Sequence, residues 1–212
     1  MNKPKAVISL FDLTGEAVKP WAEAGYDCFL FDIQHTEDVV LHGRCTVVAI
    51  SGARHFQAKA AANPSYREEA MALVYLTHDM ANLNFPLEDA PAYGVPYMLE
   101  NPVSVISSQW RKPDHIFQPC DFGGYLPEDD KANPYPDIIP ARDAYTKKTC
   151  LWTGNGFVMP EARPVDPVKY QDRNGLNYSA LHWKLGGKSL RTKNIRSATP
   201  RGFARAVFAA NT

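Results

Sequence analysis

Residues 41–56 read LHGRCTVVAISGARHF, in which the thiol of Cys45 stands directly beside a run of β-branched residues. A cysteine there is either a nucleophile offered by a loop or the first residue of a strand, and its neighbours leave both readings open. The other cysteines, Cys28, Cys120 and Cys150, make no CxxC pair and have no histidine at metal-ligand spacing. Neither a zinc site nor a disulfide framework is indicated, and no metal is expected. A second candidate is YMLENP, where Glu100 and Asn101 follow a short apolar run. A strand that delivers a carboxylate and an amide to a loop is how α/β folds build sites. A third is DLTG, followed a helix later by Asp32. Gly15 lets the backbone come close to a ligand at a helix N-terminus, and a carboxylate ending the next strand can accept hydrogen bonds from ribose hydroxyls.

The elements that must hold these groups follow from periodicity and breakers. Residues 6–11 (AVISLF) read as a strand, 16–24 as a helix stopped by Gly25, and 26–33 (YDCFLFDI) as a second strand, a βαβ unit of the nucleotide-binding kind. Residues 67–83 carry apolar positions at helical spacing without a breaker, and that stripe is expected to pack in the core. Residues 84–96 read as a Pro- and Ala-rich loop leading into a strand over 97–99. From 110 to 167 the periodicity fades and acids cluster at Glu128, Asp129 and Asp130, which marks an irregular insertion. Within it DAYTKKTCLW (143–152) has strand formers around Lys147 and Lys148. The last segment has a Gly-Gly turn, a basic stretch, and a helix over 200–210 with Pro200 at its first position. There is no internal repeat.

A chain of 212 residues that is 45% apolar can bury one sizeable core, so one domain with one insertion is expected. The core should span 1–109 and 168–212, with 110–167 inserted. The formal charge is zero, yet no acid follows Asp172 while lysines and arginines continue to Arg205, so this tail suits a polyanion. No apolar run is long enough for a membrane span, and the first is too short for a signal sequence. A soluble protein of the reducing cytoplasm, with no membrane partner, is the expectation.

Several pieces, taken in order, carry a family likeness: SLFDLTGEAVKPWAEAGYDCFLFDIQH, then CT followed by SGARHF, then LENP, FQPCDFG, YTKKTCLW, and KLGGKSLRTKNIRSATPRGFARAVFAAN. Together they resemble the short, mostly phage and prophage members of the DNA cytosine-5 methyltransferases, along nearly the whole chain. The resemblance implies a class I, Rossmann-like methyltransferase sheet, in larger relatives seven-stranded and here shortened, with a small target-recognition insertion. It implies S-adenosylmethionine as cofactor, lined by Phe11, Asp12, Thr14 and Gly15, with Asp32 and Ile33 at its ribose. It also brings the C-terminal helix beside the first loop, so that Thr199 and Phe203 complete the pocket. Double-stranded DNA is the implied partner of a monomer in a bacterial or phage-infected cell, with Arg54, Lys147, Lys148, Arg191, Lys193 and Arg196 on phosphates. Protection of DNA from restriction is the implied role.

Such chemistry has fixed requirements. Carbon 5 of cytosine becomes nucleophilic only after a thiolate adds to carbon 6 while a carboxyl group holds ring N3, and the base must first leave the stack. The resemblance gives the N3 role to Glu100, with Asn101 orienting the loop, and the thiolate to Cys45. At Cys45 the pattern departs: Gly43-Arg44 replaces the Pro-Pro that precedes the family's Cys-Thr. Two alignments compete. In one, DVVLHG is the strand before a catalytic loop, which leaves three residues for a parallel crossover that needs about a dozen. In the other, TVVAI is the strand, the crossover has its dozen residues, the catalytic loop is deleted and Cys45 begins a strand. Cys120, in the chain's sole Pro-Cys pair, belongs to a separate downstream motif. The alternatives to methyl transfer are a degenerate DNA-binding homologue and another cytosine-modifying enzyme on the same scaffold.

Overall fold

A computed structural model describes residues 6–10, 13–32, 39–41, 45–49, 71, 74, 75, 78, 79, 81, 82, 95–102 and 106–212. Among the described residues the chain is mixed α/β with three small sheets. In order the elements are β1 (Ala6–Leu10), α1 (Lys19–Glu23), β2 (Asp27–Asp32), β3 (Val39–Leu41) and β4 (Cys45–Ala49). The described residues between 71 and 82 are helical. There follow β5 (Tyr97–Pro102), α2 (Ile106–Gln109), β6 (His115–Phe117), 3₁₀ turns at Pro119–Tyr125 and Ala141–Asp143, and β7 (Thr149–Gly154). The chain continues through β8 (Lys169–Gln171), β9 (Asn177–Ser179), α3 (Ala180–Lys184), α4 (Leu190–Ser197) and α5 (Arg201–Ala210). No described helix is long and apolar enough to cross a membrane.

Two compact units divide the chain: Met1–Arg54, Gln118–Lys147 and Pro160–Thr212 form one, His55–Phe117 and Lys148–Met159 the other. The segment 110–167, set apart by composition, is therefore shared between them.

In the first unit β1, β2 and β4 run parallel and β3 joins β4 antiparallel, in the order β1-β2-β4-β3. β2 shows why the strands hold. Cys28 and Leu30 are fully buried and Phe29 between them is exposed, the alternation that a sheet covered on one face requires. Val18 and Ala22 of the α1 region close over Cys28 and Leu30, with Val7, Trp21 and Tyr26 at the margin. Gly25 stops α1 at φ 90°, a left-handed turn that favours glycine. Helix α5 packs on α1 through Phe208, whose ring meets Trp21 edge-on at 5.4 Å, and through Arg205, 3.6 Å from Glu23. A second core gathers Ile138, Ile139, Tyr145, Ala180, Leu181, Leu185 and Ile195.

The second unit is an antiparallel sheet in the order β5-β7-β6. Cys150 and Trp152 of β7 are buried with Met71, Val74 and Ile106. Met71, Val74 and Ala81 are all buried, the helical stripe expected of this segment. The indole of Trp152 donates to the Arg111 carbonyl at 2.7 Å, which satisfies its polar edge inside the core.

Candidate functional site

The loop after β1 is built by local bonds. The Glu16 amide donates to the Thr14 hydroxyl at 3.3 Å, and the Gly15 carbonyl accepts from Lys19 at 3.0 Å, which starts the helical turn. Gly15 has φ 71°, and a Cβ there would meet Leu30 Cδ2 at 3.1 Å. The left-handed backbone calls for glycine here, and the packing on β2 is close as well. Phe11, Asp12 and Ile33 lie outside the described residues, and Asp32 ends β2 as read from the sequence.

This loop and the segment that enters α5 line a narrow crevice. Glu16 lines it from one side and Thr199, Pro200 and Arg201 from the other, with Tyr135 and Asp143. Thr199 and Glu16 thus share this crevice, while Thr14 and Gly15 are not among its lining residues. Phe203 is not among the lining residues: it is fully buried and packs on Phe122 at 5.1 Å between ring centres.

Beneath the cleft lies a charged cluster that no sequence motif announces. Arg201, 8% exposed, grips Asp130 with two guanidinium nitrogens, one at 2.8 Å from Oδ1 and the other on Oδ2. Asp130 also accepts from the Arg142 amide at 2.7 Å. Burial alone would raise the Asp130 carboxyl; Arg201 and the Arg142 amide outweigh it and hold the group below its ordinary value. Burial also disfavours the Arg201 charge, and its bond to Asp130 together with Asp143 raises the guanidinium regardless. Asp143, 2% exposed, accepts from the Gly202 amide at 2.8 Å. For it burial wins, and the carboxyl is pushed up to about 6 despite that bond and Arg201. The start of α5, where Pro200 offers no capping oxygen, is therefore capped from elsewhere in the chain. Of the acids at 128–130, Asp130 is the buried one, and the signal that could have marked it is a partner 71 positions away.

Cys45 is the first residue of β4. It stands level with Cys28 of β2, while Ala49 stands level with Asp32. The strands are parallel, so Cys45 sits at the amino edge of the sheet and Asp32 at the carboxyl edge. Four residues of strand separate the two levels, roughly 13 Å. Both contested segments hold a strand: Val39–Leu41 of DVVLHG is β3, antiparallel to β4, and Cys45–Ala49 is β4, the one that runs parallel beside β2. The other thiols, Cys28, Cys120 and Cys150, are buried. Burial and the neighbouring Asp121 push the Cys120 thiol up, away from thiolate formation.

Glu100 and Asn101 belong to the second unit. Both are half-buried in β5, opposite Leu151 and Cys150 of β7. Of the basic candidates, Lys148 and Lys193 are exposed and Lys147 is half-buried. Arg191 pairs with Asp137 at 3.0 Å, and Arg196 donates to the Leu185 carbonyl at 2.9 Å. Arg54 lies outside the described residues. Family models, curated proteins and solved structures were each compared with the chain, and none matches.

Proposed function

We propose that the chain is a small DNA cytosine-5 methyltransferase, on a shortened class I methyltransferase sheet, acting on double-stranded DNA with S-adenosylmethionine as cofactor. The observation that carries this reading is the cleft between the first loop and the start of α5, since the resemblance assigns these two distant segments to one cofactor pocket. The lining fits the polar end of such a cofactor. Glu16 brings a carboxylate for an ammonium group and Thr199 a hydroxyl, while Asp32, which ends β2 and is not among the lining residues, is the one the resemblance assigns to the ribose. When bound, the cofactor supplies an electrophilic methyl group. On the protein side Glu100 holds N3 of the flipped cytosine so that charge can gather on carbon 5, and Asn101 orients that segment. A thiolate adds to carbon 6 and leaves after the carbon 5 proton is removed.

A second reading, a DNA-binding homologue without methyl transfer, is favoured by one observation. Cys45 opens β4 at the amino edge, whereas ligands of parallel sheets bind at the carboxyl edge. Purified protein incubated with labelled cofactor and cytosine-bearing DNA separates the two. Methylcytosine formation, lost in Glu100→Gln and Cys45→Ala, supports the first. Cofactor and DNA binding without product, and without a covalent complex on 5-fluorocytosine DNA, supports the second. Methylation that survives Cys45→Ala removes this thiol from the mechanism.

A further inference from the structure

The hairpin β8-β9 and helix α3 carry a ledge of aromatic rings that the methyl-transfer reading does not use. Tyr170 and Tyr178 are cross-strand partners. Trp183 lies nearly parallel to Tyr170, 11° between planes and 5.9 Å between centres, and touches Tyr178 at 5.9 Å. His182 stacks on Tyr178 at 5.1 Å and 12°, and the Lys184 ammonium sits 5.3 Å from the centre of the Tyr170 ring. The ledge is anchored from behind, because Ala180 and Leu181 of the same short helix are buried in the core and Ser179 donates to the Thr146 carbonyl at 2.7 Å. Its front is open. Trp183 is 48% exposed, with Val168 and Leu176 exposed nearby, whereas Trp152 is fully buried and Trp21 and Trp110 are half-buried.

The surrounding charge selects the occupant. Lys184 lies at the Tyr170 ring, its ammonium also donating to the Asp137 carbonyl at 3.0 Å, and Lys169, Arg173 and Lys188 of the same stretch of chain are exposed. The acid in this hairpin, Asp172, is consumed by its own turn: it accepts from the Asn174 and Leu176 amides at 2.9 Å each and from the Tyr178 hydroxyl at 3.1 Å. An apolar protein partner would gain nothing from these cations, and a base-paired duplex hides the faces of its bases. An exposed indole backed by stacked rings and flanked by cations suits a strand that offers both bases and phosphates.

We propose that this ledge binds single-stranded nucleic acid by stacking unpaired bases on Trp183 and its neighbours, with phosphates held by the flanking lysines and Arg173. The ledge needs neither the cofactor cleft nor Glu100, so a chain that fails every methylation test could still pass this one. The experiment titrates the full chain with labelled oligothymidylate, with the same strand made abasic, and with a duplex of equal length. The expected result is quenching of tryptophan fluorescence by oligothymidylate and weaker binding of the abasic strand. Trp183→Ala should lose roughly five- to a hundredfold in affinity for oligothymidylate, the range for one stacked base, and Trp183→Phe should retain most of it. Far-UV circular dichroism checks that the variants fold, and the abasic comparison needs no variant. Equal affinity for abasic and thymidylate strands, or a folded Trp183→Ala that binds oligothymidylate like the natural chain, overturns the proposal. So does quenching by the duplex alone.

Discussion

Asp143 shows how a buried carboxylate can weaken the fold it helps to shape. Its carboxyl is pushed from the ordinary 3.8 to about 6, so the folded chain holds this proton more tightly than the unfolded one. The contribution of Asp143 to stability is therefore largest below about pH 4, falls as pH rises towards 6, and is flat above, a span of at most about 3 kcal/mol. Asn at this position keeps an oxygen for the Gly202 amide and carries no charge. Asp143→Asn should match the natural chain near pH 4 and gain stability over it as pH rises to 7, read from urea denaturation at each pH. Asp130 behaves in the opposite sense. Its carboxyl is held below its ordinary value, so its contribution is present above about pH 4 and is lost as acid protonates it. Arg201→Met should cost about 3–5 kcal/mol in the same assay, because it leaves Asp130 buried without its cation. None of these pairings was legible in the sequence. Asp130 and Asp143 stand in a stretch of prolines and acids that reads as solvated loop, and what buries them is Arg201 on a distant helix.

Strands and helices were more readable, because their signals are local. The stripe through Met71, Val74 and Ala81 and the helix after Pro200 follow from signals that the sequence displays, whereas the one-sided burial of β2 does not, since its run Cys28 to Phe31 is apolar throughout. Which strands pair is a different matter. The antiparallel pairing of β5 with β7, and the insertion of β4 between β2 and β3, depend on contacts that no local pattern encodes. Close helix packing is equally hidden. Gly202 lies in the first turn of α5, where alanine would ordinarily gain about 1 kcal/mol. Here an added Cβ would meet the Phe122 carbonyl oxygen at 2.5 Å, and that atom is backbone that cannot swing aside. The clash should win: Gly202→Ala is expected to lower stability by about 1–3 kcal/mol, measured by urea denaturation.

Charge on the molecule is balanced in sum and uneven in place. Everything after Asp172 is free of acids, which is legible at once, yet the part left over for a polyanion is smaller than that composition suggests. Arg196 is held by a backbone carbonyl, while the pair of Arg191 with Asp137 is exposed and can exchange for a phosphate at little cost. Duplex binding should weaken with salt, and replacing Lys148 or Lys193 by Gln should each lower the slope of log affinity against log salt by about 0.9. That measurement is independent of catalysis.

The seat of α5 on α1 also bears on how the chain is made. Trp21 and Tyr26 leave the ribosome well before Phe208, the ring that covers them and that follows them far along the chain. At about 5–20 residues per second the delay is roughly ten to forty seconds, during which the first sheet has α1 but not its outer helix. The nascent chain thus carries an unfinished apolar surface until α5 emerges, and a chaperone that recognises such surfaces would have its opportunity there.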